Sequence, residues 1–453
     1  MNRPSITVAA LAVFLLTVVG AAQQGSGWAT WRGVDYTGAA ADSAKPVTTW
    51  SEDKNIRWKV KLPGDGTSTP IIWNGRVYLT VATETDKEGE PEKRPDSGGG
   101  RGGRRGRGGR RGRFGGGGAM TKVHAFSVVC YDAKSGKELW KKTVAEEVPH
   151  ERGHRTGSQA SSSPVTDGEH LYAFFGSRGL HCLDFDGTVK WSKDFGTMWT
   201  RNQFGEGASP AVHGNTIVVN WDHEGDSFIV ALDKKTGKEK WRTPRRESTS
   251  WGTPLIVDVK GKPQVIITGT RASRGYDLKT GKVIWECSGM TGNCIPSPIH
   301  MDGTVFLMSG FRGAAFQAVD LAKAKGDITE KKALMWSLRR GTSYVPSALL
   351  YKGSIYFLRT SSGVLTCVDA KSGEVHYEGE RLDGLRTVYS SPVGAGGNVY
   401  VTSRGGSTVV FKAGKEFEQV ASNALDDTFD ASMIVIGDAI YLRGRDHLYC
   451  IGK

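Results

Sequence analysis

The sequence predicts an all-β protein: an eight-bladed β-propeller of four-stranded antiparallel blades, closed by pairing of its N- and C-terminal strands. Three observations carry this. First, a strand, a tight turn and a second strand ending in an aromatic recur as CYDAKSGKELW (Cys130 to Trp140), CLDFDGTVKW (Cys182 to Trp191), ALDKKTGKEKW (Ala231 to Trp241), GYDLKTGKVIW (Gly275 to Trp285) and CVDAKSGEVHY (Cys367 to Tyr377). Second, strand starts rich in Ser and Pro end at Pro70, Pro164, Pro210, Pro254, Pro298, Ala348, Pro392 and Met433, most of them about 40 to 50 residues apart. That is the length of one blade, a unit that buries its apolar faces only by stacking on neighbours. Third, the repeats open on a lone outer strand, Ile56 to Val60, and stop at Cys450 and Ile451 before their own outer strand. The first strand therefore completes the last blade and leaves no free edge at the seam.

Along the chain, Arg3, the apolar run Ile6 to Val19 and the small residues Gly20, Ala21 and Ala22 read as a secretory signal peptide, residues 1–22. No later segment approaches the roughly 20 apolar residues of a membrane-spanning helix. A periplasmic or secreted protein is expected, without the cysteine that a lipid anchor needs near the cleavage site. Residues 23–453 are expected to form one propeller domain, monomeric, with an insert at about 85–120 in the long gap after Pro70. Its segment GGGRGGRRGRGGRRGRFGGGG carries seven of the thirteen net positive charges and almost no apolar surface, so disorder is expected there. Behind a secretory signal this run does not argue for nucleic acid, and no nucleic-acid partner is expected. A solvated loop tip and contact with an anionic surface or polysaccharide both stay open.

Of the six cysteines, Cys130, Cys182, Cys367 and Cys450 share one repeat position, where other copies have Ala231 and Ala318. Equivalent positions lie in separate blades, so these are small core residues that do not meet. Cys287 and Cys294 share one inter-blade loop, where an oxidising compartment leaves a disulfide and two free thiols as alternatives.

The strand, Asp, Thr/Ser-Gly-Lys turn and Trp unit resembles the repeat of the pyrroloquinoline quinone (PQQ) propellers, which include quinoprotein alcohol dehydrogenases and the assembly factor BamB. The stretch WATWRGVDYTG (Trp28 to Gly38) is similar to the segment ahead of the first blade in quinoproteins. The resemblance implies that Trp58, Trp140, Trp191, Trp241, Trp285 and Trp336 dock neighbouring blades, with Tyr377 and Phe417 as substitutes. Trp199, Trp221 and Trp251 fall outside that register, and Trp251 precedes an inner strand near the axis. Adjacent cysteines and a Cys-x-x-Cys-His haem site, both features of the dehydrogenases, are missing from the sequence, so no catalytic residue carries over.

Turns between second and third strands share the funnel face with the inter-blade loops. They hold Arg178, Arg271, Arg274, Arg312, Arg359, Arg404, Arg443 and Arg445, and the loops add Arg201, Arg339, Arg340 and Arg386, with Tyr344 and Tyr389 nearby. Guanidinium groups in such numbers suit carboxylates, sulfates or phosphates. Asp222, Glu224 and Asp226 in one turn and Asp426, Asp427 and Asp430 before the eighth blade are the acids that can neutralise them. The clusters His150, Glu151, His154 and WDHEGD (Trp221 to Asp226) lie in loops with no fixed ligand geometry, and no metal site is assigned.

The leading expectation is a non-catalytic, BamB-like binding scaffold whose arginine-rich mouth takes an acidic protein partner or an anionic polysaccharide. The alternative is a divergent PQQ-dependent dehydrogenase holding PQQ with Ca²⁺, with Trp251 as the floor of the cofactor.

Overall fold

A computed structural model of the chain describes residues 27–33, 35–92 and 120–453. The signal-peptide residues 1–22 and the arginine run lie outside the described residues. Eight antiparallel sheets follow one another around a ring: residues 71–147, 165–193, 211–244, 255–287, 299–338, 349–381, 393–424, and 434–451 joined by the strand Ile56–Lys61. That N-terminal strand pairs antiparallel with His447–Ile451, matching Trp58 to Cys450 and Val60 to Leu448. Every expected strand start falls one residue ahead of an inner strand, at Ile71, Val165, Ala211, Leu255, Ile299, Leu349, Val393 and Ile434. Among the described residues no helix is long and apolar enough to cross a membrane.

The repeat motif explains how the blades hold each other. In the third-to-fourth-strand turn the Asp carboxylate accepts from the backbone and hydroxyl of the Ser or Thr three residues on, as Asp132 does from Ser135, Asp277 from Thr280 and Asp369 from Ser372. The next residue, Gly136, Gly187, Gly237, Gly281 or Gly373 in five blades, takes a φ of +69° to +87°. A Cβ there would come within 2.5 to 3.1 Å of the Trp of the preceding blade. The same indoles, Trp58, Trp140, Trp191, Trp241 and Trp336, donate Nε1–H to the carbonyls of Ala133, Phe185, Lys234, Leu278 and Ala370 at 2.8 to 3.3 Å. Only glycine lets the turn close on the ring face at that φ. Directly across from each Trp stands a small residue, as Cys130 faces Trp140, Cys182 faces Trp191, Ala231 faces Trp241 and Cys450 faces Trp58. The four repeat cysteines are thus buried space-makers, and all six thiols are free.

Three positions depart from the repeat or close an open alternative. Trp285 packs in one core cluster with Val305, Leu307 and Val319 of the fifth blade, but it is completely buried and donates to Gln264 of its own blade at 3.1 Å. The connection in the following blade has no Gly-Lys turn. It folds back instead, so that Gly326–Asp327 runs parallel to the Trp285 strand. Phe417 meets Tyr377 of the sixth blade, ring centroids 6.2 Å apart, but from the turn ahead of the outer strand of the seventh blade, where Ala421 stands opposite Val410. There Trp50 from the N-terminal segment stacks on Tyr400, with centroids 6.3 Å apart. Cys287 and Cys294 are not joined: Cys287 Sγ donates toward Ser288 O and Gln317, while Cys294 Sγ donates toward Thr291 O. The first blade also reaches further than expected, since its ribbon runs to Glu88 paired with Lys122, inside the range assigned to the insert.

Gly237→Ala is expected to cost about 2 to 4 kcal/mol, combining left-handed strain with a clash against Trp191. Gly214→Ala, at φ +54° with nothing near its Cβ position, should cost only about 1 kcal/mol. Urea unfolding of both variants checks this, and equal losses would show that the indole does not set the turn.

Candidate functional site

One residue before each inner strand start stands a proline in six blades, and one residue earlier stands a hydroxyl: Thr69, Ser163, Ser209, Thr253, Ser297, Ser347, Ser391 and Ser432. Each backbone N–H donates to the hydroxyl of the next blade, from Thr69 to Ser163 and onward until Ser432 donates back to Thr69, at 2.9 to 3.3 Å. Eight hydrogen bonds close a circle around the axis. They line a central cavity of ≈ 320 Å³ that opens on the funnel face.

Two residues earlier in each blade, on the same side of the extended chain, lies a second tier: Thr67, Ser161, Gly207, Trp251, Ile295, Val345, Tyr389 and Asp430. Above it His154, Phe204, Glu206 and Tyr344 form the rim. The other end is closed by the N-terminal segment. Trp28 bridges Ile72, Thr166 donates to Ala29 and Leu350 to Thr37, all three on inner strands just past the hydroxyl ring, and Lys45 donates to Gly437 in the turn after the inner strand of the eighth blade. Arg32 crosses there, buried, donating to the carbonyls of Thr37, Ala348 and Pro392 at 2.6 to 3.0 Å. Burial without a carboxylate brings its pKa down to about 9. Beside it, Trp31 joins the cavity lining.

Trp251, Tyr344 and Tyr389 therefore reach the cavity, whereas among the described residues no arginine or lysine lines it. Many of the arginines are neutralised where they stand. Arg178 bonds Glu147 at 2.6 Å, Arg274 pairs with Glu247 and Glu286, and Arg404 and Arg445 share Asp430. Asp222 is taken by Arg245 with both side chains fully buried, and Asp427 accepts from the backbone of Arg445 and His447. Arg443 is a correction: it is 1 % exposed, donating to Ser68 and to Thr80 O inside the eighth-blade seam, because it belongs to a strand and not to the turn after it. Of the arginines expected at the mouth, Arg201, Arg271, Arg312, Arg339, Arg359 and Arg386 stay exposed with no carboxylate in reach among the described residues, as do Arg155 and Arg246 in two further inter-blade loops. Four of these belong to blades five to seven. Gly313 beside Arg312 lines one surface pocket together with Arg340 and Arg359, and Ser362 bridges Thr387 next to Arg386.

Glu206 is the titratable group at the rim that motif reading missed. Its carboxyl accepts from the Ser177 backbone at 2.9 Å and from the Ser177 hydroxyl, with His150 Nε2 at 3.7 Å. Burial, reinforced by Glu151, raises it to about 7 against the pull of Ser177 and Arg178. His150 bonds Met198 O and is pushed down to about 4 by burial. His154 instead pairs with Thr156, so the two histidines of PHERGH are engaged by different partners. The hydroxyl ring was legible in principle, as the repeated Ser/Thr ahead of each strand start. Glu206 and Trp31 had no such repeat signal.

PQQ with Ca²⁺, which the resemblance brings with it, does not fit this lining. A tricarboxylate finds no cation among the described residues of the cavity wall. A calcium ion needs several oxygen ligands, and the two carboxylates present are engaged, Asp430 by two arginines and Glu206 by Ser177.

Comparison with known proteins follows the architecture. The family model described as outer membrane protein assembly factor BamB matches residues 124–293 and 249–453. BamB from Moraxella catarrhalis superposes with a TM-score of 0.52 at 14% identity, covering 72% of this chain and 93% of that one. A europium-containing methanol dehydrogenase gives 0.63 at 10% identity, covering 95% and 98%. The quinohemoprotein alcohol dehydrogenase of Comamonas testosteroni gives 0.59 at 10%, covering 94% and 80%. No curated protein matches the chain in sequence.

A carboxyl held neutral makes the fold more stable at low pH. Glu206 binds its proton more tightly folded than unfolded, so its contribution is full below about 4.5 and is lost as pH rises through about 7. His150 acts in the opposite sense, favouring the fold above about 6.5 and losing that as pH falls toward 4. The wild-type minus Glu206→Gln difference in Tm is expected to fall steadily between pH 4.5 and 7; a flat difference would mean Glu206 is ionised throughout.

Proposed function

This chain belongs to the BamB family of PQQ-repeat β-propellers, and from that premise we propose that it is a periplasmic or secreted, non-catalytic binding scaffold that engages an acidic protein segment or polyanion. The observation that supports the reading most is the uneven arginine distribution. Arg312, Arg339, Arg359 and Arg386 stand exposed and uncompensated over blades five to seven, whereas Arg178, Arg274, Arg404 and Arg445 are locked to carboxylates. Uncompensated guanidinium groups keep their donors and their field for a partner, and bind carboxylate or sulfate bidentately. Arg312 is held outward by a left-handed φ of +50° and by its stacking on Phe311 at 5.2 Å.

The dehydrogenase reading draws on the fold similarity to the methanol dehydrogenase over nearly the whole chain. A similarity of fold at 10% identity does not transfer chemistry, and among the described residues the cavity lining gives that chemistry no cation and no free carboxylate.

Surface plasmon resonance of the full chain over immobilised polyglutamate and dextran sulfate tests the proposal. Saturable, salt-weakened binding is expected, falling about tenfold or more in Arg312→Glu/Arg359→Glu/Arg386→Glu. The control is an equal charge change on the opposite face, Lys134→Glu/Lys279→Glu/Lys371→Glu. If both triple variants lose binding equally, net charge is the cause and the assigned sector is wrong.

A further inference from the structure

We propose that the axial cavity is a second, separate binding site, for a neutral saccharide. Its chemistry is set by the two tiers. In the lower tier, each of the eight hydroxyls accepts one backbone N–H, and none donates to an acceptor among the described residues. A hydroxyl carries one donor and two acceptor positions. The ring therefore presents a set of hydroxyl protons with no other use, each held at a defined height by the N–H it receives.

The upper tier is two-sided. Blades four to seven contribute Trp251, Ile295, Val345 and Tyr389 as an uninterrupted apolar and aromatic arc. Blades eight and one to three contribute Asp430, Thr67, Ser161 and Gly207 as a polar arc of small residues beside one carboxylate. Trp251 is fixed in this arrangement by its Nε1–H donating to Gly205 O at 2.7 Å and by Phe204, whose ring is 6.5 Å away. Gly207 stands beside its edge, where a Cβ would lie in ordinary contact with the indole at 3.4 Å. At the closed end Trp31 keeps a buried indole N–H with no acceptor. A sugar ring pairs an apolar face of C–H groups with a polar edge of hydroxyls. It matches a pocket with an aromatic wall, a facing polar wall and a floor of hydroxyl donors. Among the described residues no Lys or Arg lines the cavity, so its wall favours a neutral ligand over an anion, which would bury its charge unpaired there.

The saccharide site rests on none of the arginines of the acidic-partner reading, so the two fail separately. Titration of the full chain with maltose, cellobiose and N,N′-diacetylchitobiose, followed by tryptophan fluorescence and calorimetry, is expected to give saturable binding of at least one. Affinity should drop about tenfold or more in Trp251→Ala, and stay unchanged in the triple arginine reversal. If Trp251→Ala does not fold, Trp251→Phe keeps an aromatic face and is expected to weaken binding several-fold at unchanged Tm. No response to any of the three sugars overturns the proposal. So does sugar binding that survives loss of Trp251 in a folded variant. Saturable quenching by PQQ without any sugar binding also overturns it, in favour of an anionic quinone.

Discussion

Closure of the ring imposes one demand on every blade: the chain entering each inner strand must bring a hydroxyl to the same height on the axis. Backbone N–H groups at that depth are away from water and need acceptors. The inner strand has no neighbour toward the axis to supply them. Ser and Thr at positions 69, 163, 209, 253, 297, 347, 391 and 432 answer this, each satisfying the blade before it. At the outer edge the corresponding link is the Trp that receives the next blade's Gly turn. Between these inner and outer links the sheets have little freedom to slide, and the cavity inherits a fixed shape.

Two kinds of buried arginine show how the fold tolerates cations. Arg245 faces Asp222 with both groups fully buried, while Arg32 and Arg443 have no carboxylate in an ion pair among the described residues and donate to carbonyls and a hydroxyl. Arg32 is the more consequential, because its three carbonyl partners come from the N-terminal segment and from the starts of two inner strands. It ties the plug to the ring. The axis is thus a blind funnel and not an open channel, and its floor belongs to residues that precede the first blade. On the funnel face the charges divide in the same local way. Acids at Glu147, Glu247 and Asp430 neutralise some arginines, and those over blades five to seven keep their charge for solvent or a partner.

Departures from the repeat are as physical as the repeat. Trp285 has no glycine turn against it; the connection in the fifth blade folds back beside it, and the indole is fully buried. The seventh blade has Ala421 where a Trp was wanted, and Trp50 arrives from elsewhere in the chain to cover Tyr400. In both cases the apolar face of a blade had to be capped, and the chain used what was at hand.

The sequence by itself determined the number of blades, the order of strands, the seam and the small residues opposite the docking indoles. These follow from local periodicity, because turns and alternation repeat with the blade and need no knowledge of distant contacts. It also placed Trp251, Tyr344 and Tyr389 near the axis, since inter-blade loops open there. Only the tertiary structure decided which arginines are free, because pairing such as Arg445 with Asp65 joins residues far apart in the chain and depends on which loops meet. The same holds for Glu206, whose proton affinity is set by burial against Ser177 and Glu151, and for the Trp31 plug. Periodicity fixes where a residue stands in its own blade. It is silent about what the neighbouring blade puts in front of it.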